Sequence, residues 1–224
     1  MDGTGVLFAR QQEQLARHFD VCCLAISRGN LLGWNELAAE VLALIDRELA
    51  GREREIHLCG ESFGACLAML VAARLPHIQQ LISINPASSF AKLPLLAMGS
   101  FSVGIVPEPL YQLSARVLVG LLIEVDRVSP FDRQNLIRAM LSIDSQTVAW
   151  RLKLLREFDL NPILSDLIDV PTLLLAGEMD RLLPSTLEVQ IIHRQLPRSK
   201  IIFLPYSGHA CLLEQDINLA QIIT

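Results

Sequence analysis

The 224-residue chain lacks any unbroken apolar stretch of the roughly 20 residues that a membrane-spanning helix needs. Its greasiest segment, Leu93 to Pro107, carries no charge but is interrupted by Pro94, Gly99, Gly104 and Pro107. That segment reads as an apolar lid or an interfacial stretch. Runs of like charge are absent too, and the formal charge of −5 has the wrong sign for a nucleic-acid binder. No nucleic-acid partner is expected. No charged leader followed by an apolar stretch opens the chain, so a cytoplasmic location is expected, with peripheral membrane or lipid contact left open. The five cysteines (Cys22, Cys23, Cys59, Cys66, Cys211) form no Cys-x-x-Cys pair. They predict neither a disulfide framework nor a zinc site, and among Val, Leu and Ala they read as small buried hydrophobes. No metal and no cofactor is called for. What is present is apolar: 51% hydrophobic residues against 19% charged exclude disorder and permit a large core. The length suits one domain, residues 1–224.

Periodicity orders the chain. Leu7 to Phe19 reads as a surface helix, and the continuous apolar run Val21–Ile26 as a strand buried on both faces. Asn35 to Leu49 reads as a long helix, Glu55 to Cys59 as a strand, and Phe63 to Leu75 as an Ala-rich helix stopped by Pro76. Leu81 to Ile84 is a further strand. Strand signals then vanish from about residue 88 to 162, where Leu113–Val125, Gln134–Ile143 and Val148–Phe158 carry helical stripes. The alternation resumes with strand Thr172–Ala176, helix Ser185–Gln195, strand Lys200–Leu204 and helix Leu212–Ile223. Such alternation predicts an α/β fold with a mainly parallel sheet and flanking helices. Residues 88–162 are then a helical cap inserted on that sheet.

Gly60-Glu61-Ser62-Phe63-Gly64 lies between a strand and a helix, the setting in which Gly-x-Ser-x-Gly forms a nucleophile elbow. Ser62 must take strained backbone angles at a sharp turn, and Gly60 and Gly64 let strand and helix approach. A serine hydroxyl needs a base, nearly always a histidine held by a carboxylate. His18, His57, His77 and His193 lie in or beside regular elements and read as packing or surface residues. His209 follows a strand in the loop Tyr206-Ser207-Gly208-His209, at the strand end where parallel sheets place reactive groups. The carboxylate is sought in the loop after Thr172–Ala176, which offers Asp180 and, as a substitute, Glu178. Asp166 and Asp169 precede that strand and face the wrong end of the sheet.

The order Ser62, Asp180, His209 is that of the α/β-hydrolases. With Met1-Asp2-Gly3-Thr4-Gly5, Asn85-Pro86, Val170-Pro171, the run Gly177 to Pro184 and Gly208-His209, the sequence resembles the esterase, lipase and thioesterase group of that superfamily. It is most similar to an acyltransferase-like branch related to the phytyl ester synthases of photosynthetic organisms. The resemblance implies an α/β-hydrolase fold whose opening pentapeptide supplies one oxyanion donor, Met1 or Asp2. The Phe63 N–H supplies the other. It further implies a strand upstream of Met1, seated between the Cys22–Ile26 and Glu55–Cys59 strands, so the chain reads as N-terminally truncated.

The chemistry expected is acyl transfer. His209, oriented by Asp180, takes the Ser62 proton; Ser62 attacks an ester or thioester carbonyl, and the acyl-enzyme passes to water or to an alcohol. Leu93, Leu95, Leu96, Phe101, Val103, Ile105, Leu118, Val119, Leu121 and Leu122 in the cap suit a lipid-like acyl substrate. A catalytically impaired or non-catalytic ligand-binding member of the fold is the alternative, because the upstream strand is absent from the sequence. Oligomeric state is left open.

Overall fold

The computed structural model describes residues 3–93, 114 and 117–224. Four parallel strands form one sheet in chain order: β1 (His57–Glu61), β2 (Gln80–Ile84), β3 (Thr172–Gly177) and β4 (Ser199–Leu204). The register pairs Gly60 with Ser83 and Ile84 with Leu175, so the carboxyl ends of the strands lie side by side. Every residue of β3 is buried, as its unbroken Thr172–Gly177 run requires of a strand covered on both faces.

Alternate side chains of the strands feed two cores. Leu81, Leu174 and Ala176 point to a cluster completed by α2 (Trp34–Leu49), α3 (Phe63–Ala72) and the helix Ser185–Gln195. Ile82, Ile84, Leu173 and Leu175 point the other way, to α1 (Ala9–Leu15) and the C-terminal helix Leu219–Ile223. Period-two alternation between two helical layers makes this an α/β sandwich.

Between β2 and β3 the described residues form helices. Residues 117–122 are helical, followed by α4 (Pro130–Leu141) and α5 (Ser145–Glu157). The Ser129 hydroxyl accepts the Asp132 N–H at 3.0 Å, and the Asp144 carboxylate accepts the Thr147 N–H at 2.8 Å. Those two N-caps start the helices several residues earlier than the apolar stripes suggest. Most of the apolar stretch Leu93–Pro107, and Leu113, Ala115 and Arg116 of the stripe Leu113–Val125, lie outside the described residues.

Several expectations need correction. Val21–Ile26 forms no strand: it runs beside β1 without joining the sheet, and its Ile26 N–H donates to Gly3 O at 2.7 Å. Between that run and β1 lies an apolar groove of about 1010 Å³, where the resemblance places a further strand. Cys22, Cys23 and Cys59 line this groove and are exposed, so only Cys66 and Cys211 are the buried thiols expected of all five. β1 starts two residues later than expected and ends at Glu61, directly before Ser62. Leu7–Phe19 is shortened to a single turn and α1. The helix expected over Leu212–Ile223 is broken, because Glu214 turns inward and Asn218 caps a new helix by accepting the Gln221 N–H.

Candidate active site

β1 delivers Ser62 at φ 58° and ψ −116°, angles that cost a non-glycine residue about 1–3 kcal/mol. The turn is held from both sides. The Ser62 N–H donates to Ile84 O at 2.9 Å, and the Ser62 carbonyl accepts the Ala65 N–H at 3.0 Å. A Cβ on Gly60 would lie 2.1 Å from Gly64 O, so strand and helix can approach only over glycine at that position. Gly64 differs: a Cβ there meets nothing within 4 Å. Of the two glycines expected to be needed, the contact demands only Gly60.

His209 Nε2 lies 2.9 Å from Ser62 Oγ, and His209 Nδ1 lies 2.7 Å from Asp180 Oδ2. A carboxylate only accepts, so the proton sits on Nδ1 and the Nε2 lone pair faces the serine. Asp180 is fixed by more than the imidazole. Its Oδ1 accepts the N–H groups of Leu182 and Leu183 at 2.8 and 2.9 Å, and its Oδ2 also accepts the Ser185 hydroxyl. Burial pushes the Asp180 carboxyl up, but the His209 hydrogen bond and charge, with Ser185 and Leu183, hold it below the ordinary range. The structure thus brings together Ser62, His209 and Asp180. Glu178 is exposed, with its N–H on Leu204 O, and stands apart from the imidazole. Phe63 opens α3, its ring stacked on Trp34 at 4.6 Å, and its N–H is at the helix amino end. Met1 and Asp2 lie outside the described residues.

The sequence profile described as "Alpha/beta hydrolase family" matches residues 3–222. The chain belongs to the alpha/beta hydrolase family. Among curated proteins it is 31% identical to phytyl ester synthase 1, chloroplastic, of Arabidopsis thaliana, over all of this chain and 35% of that protein. It is 28% identical to phytyl ester synthase 2, chloroplastic, of the same plant, over all of this chain and 36% of that protein. The chain therefore spans about a third of the length of these relatives. A thermophilic esterase from Thermogutta terrifontis shares the fold, with a TM-score of 0.75 at 22% identity, over 97% of this chain and 82% of that one.

In this hydrolase-family chain the histidine loop has a support that periodicity does not reveal. Glu214, wholly buried, accepts the Gly208 N–H at 2.8 Å, the Ser207 hydroxyl at 2.8 Å and Arg127 Nε at 2.9 Å. In sequence Glu214 lies inside what reads as a continuous apolar helix, so nothing marks it as inward-facing. Gly177, named in the sequence only as the start of the Gly177–Pro184 run, has a packing role: a Cβ there would meet the carbonyls of Ser207 and Gly208 at 2.5 Å. Only glycine at the end of β3 lets the histidine loop pass that close.

Glu61, next to the nucleophile, accepts the Leu212 N–H at 3.4 Å and the Cys211 thiol at 3.6 Å. Burial raises its carboxyl above the ordinary range, against the opposing pull of His209 and the Leu212 N–H. The helix at 117–122 docks on the loops that carry Asp180 and His209. Ala210 N–H donates to Leu122 O at 2.8 Å, and Arg181 reaches Gly120 O at 3.2 Å and Glu124 at 2.8 Å. Val117, Leu118 and Leu121 on this helix remain exposed. Among the described residues no cluster of His, Cys, Asp and Glu is arranged to hold a metal, and no helix is long and apolar enough to cross a membrane.

Proposed function

We propose that this chain works as a serine acyl-transfer enzyme on an ester or thioester, with Ser62 as nucleophile, His209 as base and Asp180 as its orienting carboxylate. The observation that carries the reading is the unbroken chain Asp180–His209–Ser62, with separations of 2.7 and 2.9 Å. His209 Nε2 takes the Ser62 proton as Oγ attacks the carbonyl carbon. The imidazolium, steadied by Asp180, then protonates the departing alcohol or thiol. The Phe63 N–H at the amino end of α3 is assigned to the oxyanion, with Met1 or Asp2 as its partner donor. Water or an alcohol resolves the acyl-enzyme.

The substrate is assigned as a lipid-like acyl ester or thioester, and a long-chain alcohol as acceptor. Two features support this: the exposed Val117, Leu118 and Leu121 on a helix tied to the Asp180 and His209 loops, and the relatives named as phytyl ester synthases. Residues 88–162 are assigned as a cap over a single α/β domain. A second reading, a ligand-binding member without catalysis, draws on the open groove of about 1010 Å³ beside β1.

Hydrolysis of p-nitrophenyl esters of increasing acyl length tests the first reading, run with and without a C20 isoprenoid alcohol. Turnover that rises with acyl length, is diverted to the new ester by the alcohol and vanishes in Ser62→Ala is the expected result. Ester binding without turnover would favour the second reading.

A further inference from the structure

Asn85 follows β2 directly, is wholly buried, and holds φ at 42°, a region asparagine tolerates better than most residues. Its Oδ1 accepts the N–H of Gly177, the last residue of β3, at 2.8 Å. Its Nδ2 donates to the carbonyl oxygens of His209 at 2.6 Å and Gly208 at 3.3 Å, and lies 3.7 Å from Cys211 Sγ. Its own N–H donates to Leu175 O at 2.9 Å. One carboxamide therefore joins three chain segments: the end of β2, the end of β3 from which the Asp180 loop departs, and the loop that carries His209.

Donors and acceptors match in each direction. The single amide oxygen meets an N–H, and the amide nitrogen meets carbonyls. Neither an acid nor an apolar residue of the same size supplies both. The bond to the His209 carbonyl sets the height of that residue's backbone, and the bond to Gly177 sets the start of the segment leading to Asp180.

We propose that Asn85 is a positioning residue that fixes the Asp180 loop against the His209 loop, so that the imidazole meets carboxylate and serine at once. The proposal rests on the reading of Ser62, His209 and Asp180 as the reacting set. A misplacement of about 1 Å in such a set costs about 100-fold in rate.

Three variants test it. Asn85→Gly removes the side chain while easing the positive φ. Asn85→Asp keeps the shape but sets a carboxylate oxygen against the His209 carbonyl. Leu173→Ala, in the core on β3, controls for lost stability alone. Each is compared with wild type below its melting midpoint in two ways: the rate of Ser62 labelling by a fluorophosphonate, and the low-field NMR signal of the His209 Nδ1 proton.

Both Asn85 variants are expected to label about 100-fold more slowly and to lose or shift the Nδ1 proton signal. Leu173→Ala is expected to keep both at wild-type values. Wild-type labelling and an unmoved proton signal in Asn85→Gly and Asn85→Asp would overturn the proposal, as would equal losses in Leu173→Ala. A wild-type protein that does not label contradicts the reading of the reacting set instead. In that case the proton signal, which needs no reaction, still decides the role of Asn85.

Discussion

Glu214 accepts the Gly208 N–H at 2.8 Å, so a carboxylate five residues beyond His209 holds the loop on which His209 sits. The same carboxylate is paired with Arg127, which also reaches Asp216 at 2.8 Å. Without Glu214, Arg127 keeps Asp216, but the buried Gly208 N–H and Ser207 hydroxyl lose their acceptor, at about 1–3 kcal/mol for each group left unsatisfied. Glu214→Ala is expected to lose stability on that scale in urea unfolding and to slow fluorophosphonate labelling of Ser62. A variant with an unchanged unfolding midpoint would show that the network does not hold the loop.

The two glycines flanking the nucleophile are expected to behave differently. Gly60→Ala forces a Cβ against Gly64 O, 2.1 Å away, so the elbow must open and both the melting midpoint and activity should fall. Gly64→Ala meets open space and adds helix propensity on α3, worth about 1 kcal/mol. Parallel alanine variants measured by thermal melting settle the order; equal losses would contradict it.

Asp180 makes stability depend on pH in a defined direction. Its folded carboxyl lies below the unfolded value of about 3.9. Its contribution is therefore complete above that value and is lost as pH falls through the lower folded one. The melting gap between wild type and Asp180→Asn should be widest near neutrality and close on acidification below about pH 4. A gap that stays constant from pH 7 to 3 would count against the ionised, hydrogen-bonded Asp180.

Glu61 predicts the opposite slope. Its folded carboxyl is raised, so the folded state favours the proton and loses stability as pH rises from the unfolded value of about 4.3 through the folded one. Glu61→Gln removes that loss. Its melting midpoint should gain on wild type as pH increases across this range, and parallel curves would refute the assignment.

Much of this architecture is legible in the sequence because it rests on local pattern. The apolar run Thr172–Ala176 announces a strand, which the structure extends to Gly177, and the Gly60–Gly64 string sits where a strand meets a helix. The choice of Asp180 over Glu178 follows from loop depth, and the geometry separates them by a hydrogen bond to His209. What the sequence hides depends on neighbours. Val21–Ile26 carries every local mark of a buried strand, yet a strand needs a paired edge, and here a groove lies between it and β1. Cys22, Cys23 and Cys59 are exposed for the same reason. The bonds of Glu214 and of Asn85 are hidden differently: Asn85 stands out only as part of the Asn85-Pro86 pair, and each side chain acts on backbone groups of the His209 loop and leaves no periodic trace.

Ser62 as a nucleophile activated by His209 is open to a direct chemical test. The measurement is intact-protein mass spectrometry after fluorophosphonate treatment, followed by peptide mapping. One covalent adduct is expected on Ser62, absent in Ser62→Ala and formed far more slowly in His209→Ala. No adduct on folded wild-type protein, or an adduct that persists in Ser62→Ala, would contradict it.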